Sequence, residues 1–163
     1  MVPMSITPPL NSPLEIGLRV VFVLSSAFPR AFDLDALIQL DHALLHTGQN
    51  DGPDSIHPEL PGSIGELAVK RDLIRSGIDA MMRAGLIVAR PTNAGFAFLA
   101  SENAAPFVSV LGSTYAENLR ARANWVVDQL PEPSEASEEP QLRALISRWI
   151  SRNPATGAGG TDD

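Results

Sequence analysis

The stretch Ile78–Ala100, IDAMMRAGLIVARPTNAGFAFLA, constrains the fold more than any other part of the chain. Ile78, Met81 and Met82 stand at helical spacing, and Gly85 is placed to end that helix in a left-handed conformation. Leu86-Ile87-Val88 then has the β-branched character of a strand. Thr92-Asn93-Ala94-Gly95 supplies residues that tolerate a tight turn, and Phe96 and Phe98 alternate with Ala97 on the return. A helix running straight into a hairpin is the second half of a winged-helix unit. That unit serves either to bind DNA or to dock proteins.

Charge weighs on this choice. The chain has 163 residues, enough for one domain with a real core, and a net charge of −7. Such a balance opposes general affinity for nucleic acid, which depends on many cations meeting phosphates. Lys70 is the single lysine. No cysteine is present, so disulfides and thiolate metal sites are excluded. The longest apolar run, near Val20–Leu24, is far shorter than a membrane helix requires, and MVPMSITPPL lacks the pattern of a signal peptide. A cytoplasmic protein without membrane contact is the expectation.

The chain divides into five stretches. Residues 1–10, with three prolines, read as a loose arm, and residues 11–130 as the folded domain. Within it Ser12-Pro13-Leu14-Glu15 is a capping box with proline at the first helical position, predicting a helix to about Ala27. That helix is apolar on nearly every side, which predicts burial against more than one neighbour. Asp33 caps a second helix to about His46, whose apolar stripe is interrupted by Asp41. A loop rich in glycine and proline follows, from Thr47 to Gly62. Ser63-Ile64-Gly65-Glu66, a second capping box, opens a helix that runs to Ala84 or breaks near Ser76-Gly77. After the hairpin, Ser101 is placed to cap a helix over 102–111, and another spans about Thr114–Leu130. PEPSEASEEP, 131–140, reads as an acidic linker. Leu142, Leu145, Ile146, Trp149 and Ile150 then mark an amphipathic helix over 141–151, before a tail at 152–163. The fold class is mainly α with a small β-hairpin wing: a winged-helix-like domain with additional N- and C-terminal helices.

Catalytic patterns are scarce. His42 and His46 stand one helical turn apart, as zinc ligands do, but position 43 is alanine and no third ligand has a recognisable spacing. Histidines packing or capping a helix end are the more economical account. GAGG at 157–160 follows no strand and does not make a phosphate loop. No catalytic residue, metal site or cofactor is expected. Lys70, Arg71, Arg75, Arg83 and Arg90 gather in the helix-and-wing region, with Glu66, Asp72 and Asp79 interleaved. Lys70, Arg71, Arg75 and Arg90 are the candidate contacts to a partner or to nucleic acid. Arg71 and Arg75 fall close to the apolar stripe of their helix, which suits arginines lying across a protein interface.

The runs Asn11-Ser12-Pro13-Leu14-Glu15, Leu40-Asp41 leading to His46, Ser55-Ile56-His57-Pro58, and Gly65-Glu66-Leu67 with the basic helix after it form a longer pattern. From Asn11 to Ile150 the chain resembles the middle component, of its second type, of prokaryotic ABC-three-component systems. The resemblance implies winged-helix character and a non-catalytic adaptor role in anti-phage or anti-plasmid defence. It implies an SMC- or Rad50-like ABC ATPase and an effector as partners, with DNA contact expected only inside the assembled complex. The residues alone leave a winged-helix transcriptional regulator open as the alternative, and an apolar first helix leaves a homodimer open. If Asp41, His46 and His57 belong to the family pattern, they are expected to anchor the 47–62 loop by hydrogen bonds.

Overall fold

In the computed structural model, residues 12–50, 52–54 and 64–132 are described, together with the single positions 144 and 148; side chains are described throughout except at 49, 50 and 64–69. The arm at 1–10, Ser63 and the side chains of the second capping box, His57, most of the 131–140 linker, the stripe at 142–150 and the tail lie outside the described residues. Helix α1 (Pro13–Ala27) is followed by α2 (Leu34–Leu45), a 3-10 turn at Thr47–Asn50, α3 (Ile64–Arg83), strands β1 (Ile87–Thr92) and β2 (Gly95–Ala100), α4 (Ala104–Ser109) and α5 (Thr114–Asp128). This is a helical domain with a small β wing.

α1 forms the axis of the core. Its start is fixed by Ser12, whose hydroxyl accepts from the Glu15 N–H at 3.1 Å, with Pro13 in the first turn. Ile16, Val20, Val21, Phe22, Val23 and Leu24 are all buried, because α2, α3, α4, α5 and β2 each pack against some part of this helix. An all-round apolar helix therefore finds a neighbour on every side. α2 starts where the Asp33 carboxylate accepts from the Ala36 N–H at 2.7 Å. It contributes Leu37, Leu40 and Leu44 to the same core, and α5 contributes Leu119, Ala123 and Val126.

α3 runs unbroken through Ser76-Gly77. Gly77 meets α1 backbone to backbone: a Cβ there would stand 2.6 Å from the Pro13 carbonyl oxygen and 2.7 Å from the Gly17 nitrogen. A Cβ on Gly17 would in turn stand 2.7 Å from the Gly77 oxygen. The glycine pair is a notch that lets two helices touch, and helix propensity is given up for that contact. Ile74, Ile78 and Met81 flank the notch and are buried.

The hairpin follows from the end of α3. Gly85 takes φ +78°, its N–H donates to the Met82 carbonyl at 3.0 Å, and the Leu86 N–H donates to Met81 at 2.9 Å. These paired bonds are a Schellman closure, with buried Leu86 and Met81 as its apolar contact. β1 and β2 pair antiparallel from Ile87↔Ala100 to Thr92↔Gly95, around the two-residue turn Asn93-Ala94. Between α1 and α2 the chain touches this ribbon once. Phe32 and Phe98 exchange both backbone hydrogen bonds, at 2.9 and 2.8 Å.

α4 is shorter than its sequence suggests, covering Ala104–Ser109, and its N-cap residue Asn103 makes no side-chain cap bond. Ser101 is otherwise engaged. Its hydroxyl donates to the Gly85 carbonyl at 2.6 Å and accepts from the Asn103 N–H at 3.2 Å, joining the helix end of α3 to the exit of the hairpin. Among the described residues no helix is long and apolar enough to cross a membrane.

Candidate functional site

Three helices meet around one carboxylate. Asp41 on α2 is 1 % exposed, and Arg19 on α1, equally buried, donates to it through Nε at 2.7 Å and Nη2 at 3.1 Å. Lys70 on α3 adds Nζ at 3.2 Å from Oδ2, the oxygen that also accepts from Arg19 Nη2. Burial works against the charge of Asp41, but the Lys70 and Arg19 cations outweigh it and hold the carboxyl below its ordinary range. The same pairing overcomes the desolvation of Arg19 and keeps its guanidinium charged. A carboxylate that meets two cations, one of them bidentate, is a satisfied structural charge. It links α1, α2 and α3.

Beside this cluster stand the two histidines. Their rings approach to 4.4 Å between centroids, tilted by 42°. His46 is the C-cap residue of α2, and its backbone N–H donates to Ala43 at 3.2 Å. His42 is exposed, yet desolvation, then the nearby Lys70 ammonium and His46, lower its pKa to about 4. His42 is therefore neutral at physiological pH. Among the described residues no three histidines or carboxylates are grouped so as to hold a metal ion.

The candidate contact residues occupy different settings. Lys70 is 22 % exposed and turned toward Asp41. Arg71 is exposed and reaches from α3 to Asp35 on α2 in a surface ion pair. Arg75 and Arg83 are exposed on α3, with Asp72 and Asp79 exposed among them. Arg90 is exposed on β1, opposite Ala97. The outer face of α3 is thus of mixed sign and leads into the wing.

The described part of the long loop is fastened by residues that carry no obvious motif. Thr47 is completely buried, its hydroxyl donates to the Pro53 carbonyl at 2.7 Å, and its own carbonyl accepts from Gly52 at 3.0 Å. Trp125 of α5 lies against Gly52, where a Cβ would come within 2.6 Å of the indole. Arg122 of α5 donates twice to the Asp54 carbonyl, at 3.1 and 2.9 Å. Asp41 faces Arg19 and Lys70, and His57 lies outside the described residues. Arg19, Thr47 and Arg122 went unmarked in the sequence. A lone arginine inside an apolar helix paired with a lone carboxylate inside an apolar stripe was the available signal for the first of them.

Large apolar side chains remain outside the core. Val88 and Phe96 on the hairpin are 48 % and 61 % exposed, and Val110, just after α4, is 76 % exposed. A core that closes around α1 while leaving such groups in water has apolar surface available for contact. Over residues 9–153 the sequence matches the family described as ABC-three component (ABC-3C) system Middle Component 2. The chain belongs to that family. No curated protein and no solved structure matches it. As a Middle Component 2 it is an accessory subunit of a multi-protein ABC-3C system, distinct from the ATPase.

Proposed function

We propose that this Middle Component 2 is a non-catalytic adaptor, joining an SMC- or Rad50-like ABC ATPase to an effector in a prokaryotic system directed against phages or plasmids. The observation that carries this reading is how its chemistry is distributed. Asp41, the carboxylate held below its ordinary range among the described residues, is spent on binding three helices together, while apolar groups such as Phe96 and Val88 face solvent. Docking needs that arrangement, and catalysis needs the reverse. In this account Arg71, Arg75, Arg90 and the 47–62 loop face the partners, Lys70 offers only its open side, and His57 helps to hold the loop. DNA is met only within the complex, and the site of action is the cytoplasm.

Purification of the tagged chain from its native host, with nuclease added to remove DNA bridging, tests the reading. Recovery of an ABC ATPase in a fixed ratio is the expected result. Recovery of this chain alone would overturn it.

One observation favours a second reading. The order helix, Phe32 edge residue, helix, helix, hairpin is the one expected of a winged helix, in which α3 would be the recognition helix. A transcriptional regulator of that kind would retard a DNA duplex with an affinity that falls steeply with salt. The net charge of −7 and the aspartates on the outer face of α3 place this reading second.

A further inference from the structure

The two edges of the wing are unequal. In an antiparallel ribbon the backbone N–H and C=O groups of alternate residues point to the same edge. Phe98 uses its pair outward, to Phe32, so those of Phe96 and Ala100 point the same way. Across the ribbon, Ile87, Ala89 and Pro91 stand opposite Ala100, Phe98 and Phe96, and their backbone groups point to the far edge. That far edge is blunted toward the tip by Pro91, which has no N–H to offer. The β2 edge has no such guard. Among the described residues Phe32 alone pairs with it, because Asp33 caps α2 and turns the chain away before it could reach Phe96. At this unpaired position Phe96 holds its ring 61 % exposed.

Charge singles out the same segment. Between Asp79 and Glu102 there is no aspartate or glutamate, in a chain that carries 19 of them, while Arg83 and Arg90 lie within that interval. Arg90 is paired with Ala97, a residue small enough for the long arginine side chain to extend over toward the β2 edge. Two arginines are few for a phosphate backbone, and phosphates would not bury a phenyl ring. An extended polypeptide would satisfy every group present.

We propose that the β2 edge of the wing, continuing from the Phe32 bridge to Phe96, accepts an extended, acidic peptide segment of a partner protein as an added strand. Backbone bonds to Phe96 supply the register, the Phe96 ring covers an apolar side chain of the incoming strand, and Arg90 meets its carboxylates. The proposal deepens the adaptor reading and rests on it for the source of the peptide.

The edge can be tested without any of the partners. The full-length chain, labelled for amide NMR, is titrated with a short peptide of alternating valine and threonine around one phenylalanine, flanked by glutamates. A version flanked by lysines and a short DNA duplex are titrated in parallel. The glutamate peptide is expected to shift the amides of Phe96 and its neighbours Gly95 and Ala97, and Phe96→Ala to weaken it roughly tenfold with an otherwise unchanged spectrum. Arg90→Glu should exchange the preference toward the lysine peptide. Equal binding of both peptides, shifts away from the hairpin, or a hairpin that responds only to DNA would overturn the proposal. Should the edge fail while an ATPase still co-purifies with the chain, this inference falls and the adaptor reading stands.

Discussion

The junction of α1, α2 and α3 and the hairpin invert the usual arrangement of a small domain. At the junction a carboxylate and a guanidinium are buried among the core leucines, with a lysine closing the cluster. On the hairpin a phenylalanine and a valine stand in water. Charges are ordinarily outside and aromatic rings inside. The contrast teaches which region each part of the chemistry serves. Charge at the junction ties three helices together, and apolar area on the wing is exposed.

The largest expected effect comes from leaving one junction charge without its partner. Asp41→Ala removes the bidentate carboxylate that compensates the buried Arg19 guanidinium, and a loss of about 3–5 kcal/mol in chemical denaturation is expected. Replacing the pair together, Arg19→Met with Asp41→Leu, should recover most of that loss. If Asp41→Ala unfolds at the same denaturant concentration as the parent, the junction is not held by this pair.

Next in size is Gly77→Ala. Helix propensity alone would make it stabilising by about 1 kcal/mol. The backbone contact with Pro13 and Gly17 reverses the sign, and a loss of about 1–3 kcal/mol is expected. The sign of the change in unfolding midpoint decides between the two.

The pH dependence is smaller and, among the described residues, centres on the junction. His42 has its pKa lowered from 6.5 to about 4, so the folded state holds fewer protons than the unfolded chain in that window. Its contribution is complete above pH 6.5 and is lost as pH falls toward 4. Asp41, also lowered, adds a further loss at pH values below its ordinary 3.8. Thermal unfolding across pH 7 to 4 should show His42→Gln with a shallower decline than the parent. Identical slopes would detach His42 from the stability of the junction.

The smallest expected effect lies on the wing. Phe96→Ala should change stability by no more than about 0.5 kcal/mol, because the ring packs on little. A loss of several kcal/mol would make Phe96 part of the core and erase the contrast.

Much of the scaffold could be read from the residues alone. Ser12, Asp33 and Gly85 carry the local chemistry of caps and helix ends, and their geometry follows from nearest neighbours. The register of the hairpin follows from a turn only two residues long. Gly77 was ambiguous for a physical reason. A mid-helix glycine has the same propensity whether it breaks the helix or admits a second backbone, and only Gly17 across the interface distinguishes them. Arg19 and Asp41 are 22 positions apart, so their pairing depends on how α1 and α2 cross. Thr47 and Arg122 hold the loop through backbone carbonyls, which every residue possesses and which no motif can mark. Exposure of Phe96 is likewise a tertiary outcome, since alternation along β2 is the same for a covered and an uncovered ribbon.

Amide hydrogen exchange of the full chain, alone and in complex with the ABC ATPase of its own system, tests the central claim most directly. New protection over Ile87–Ala100 and unchanged exchange around Arg19, Asp41 and Lys70 are expected. Protection gained only at that junction, or nowhere in the chain, would contradict it.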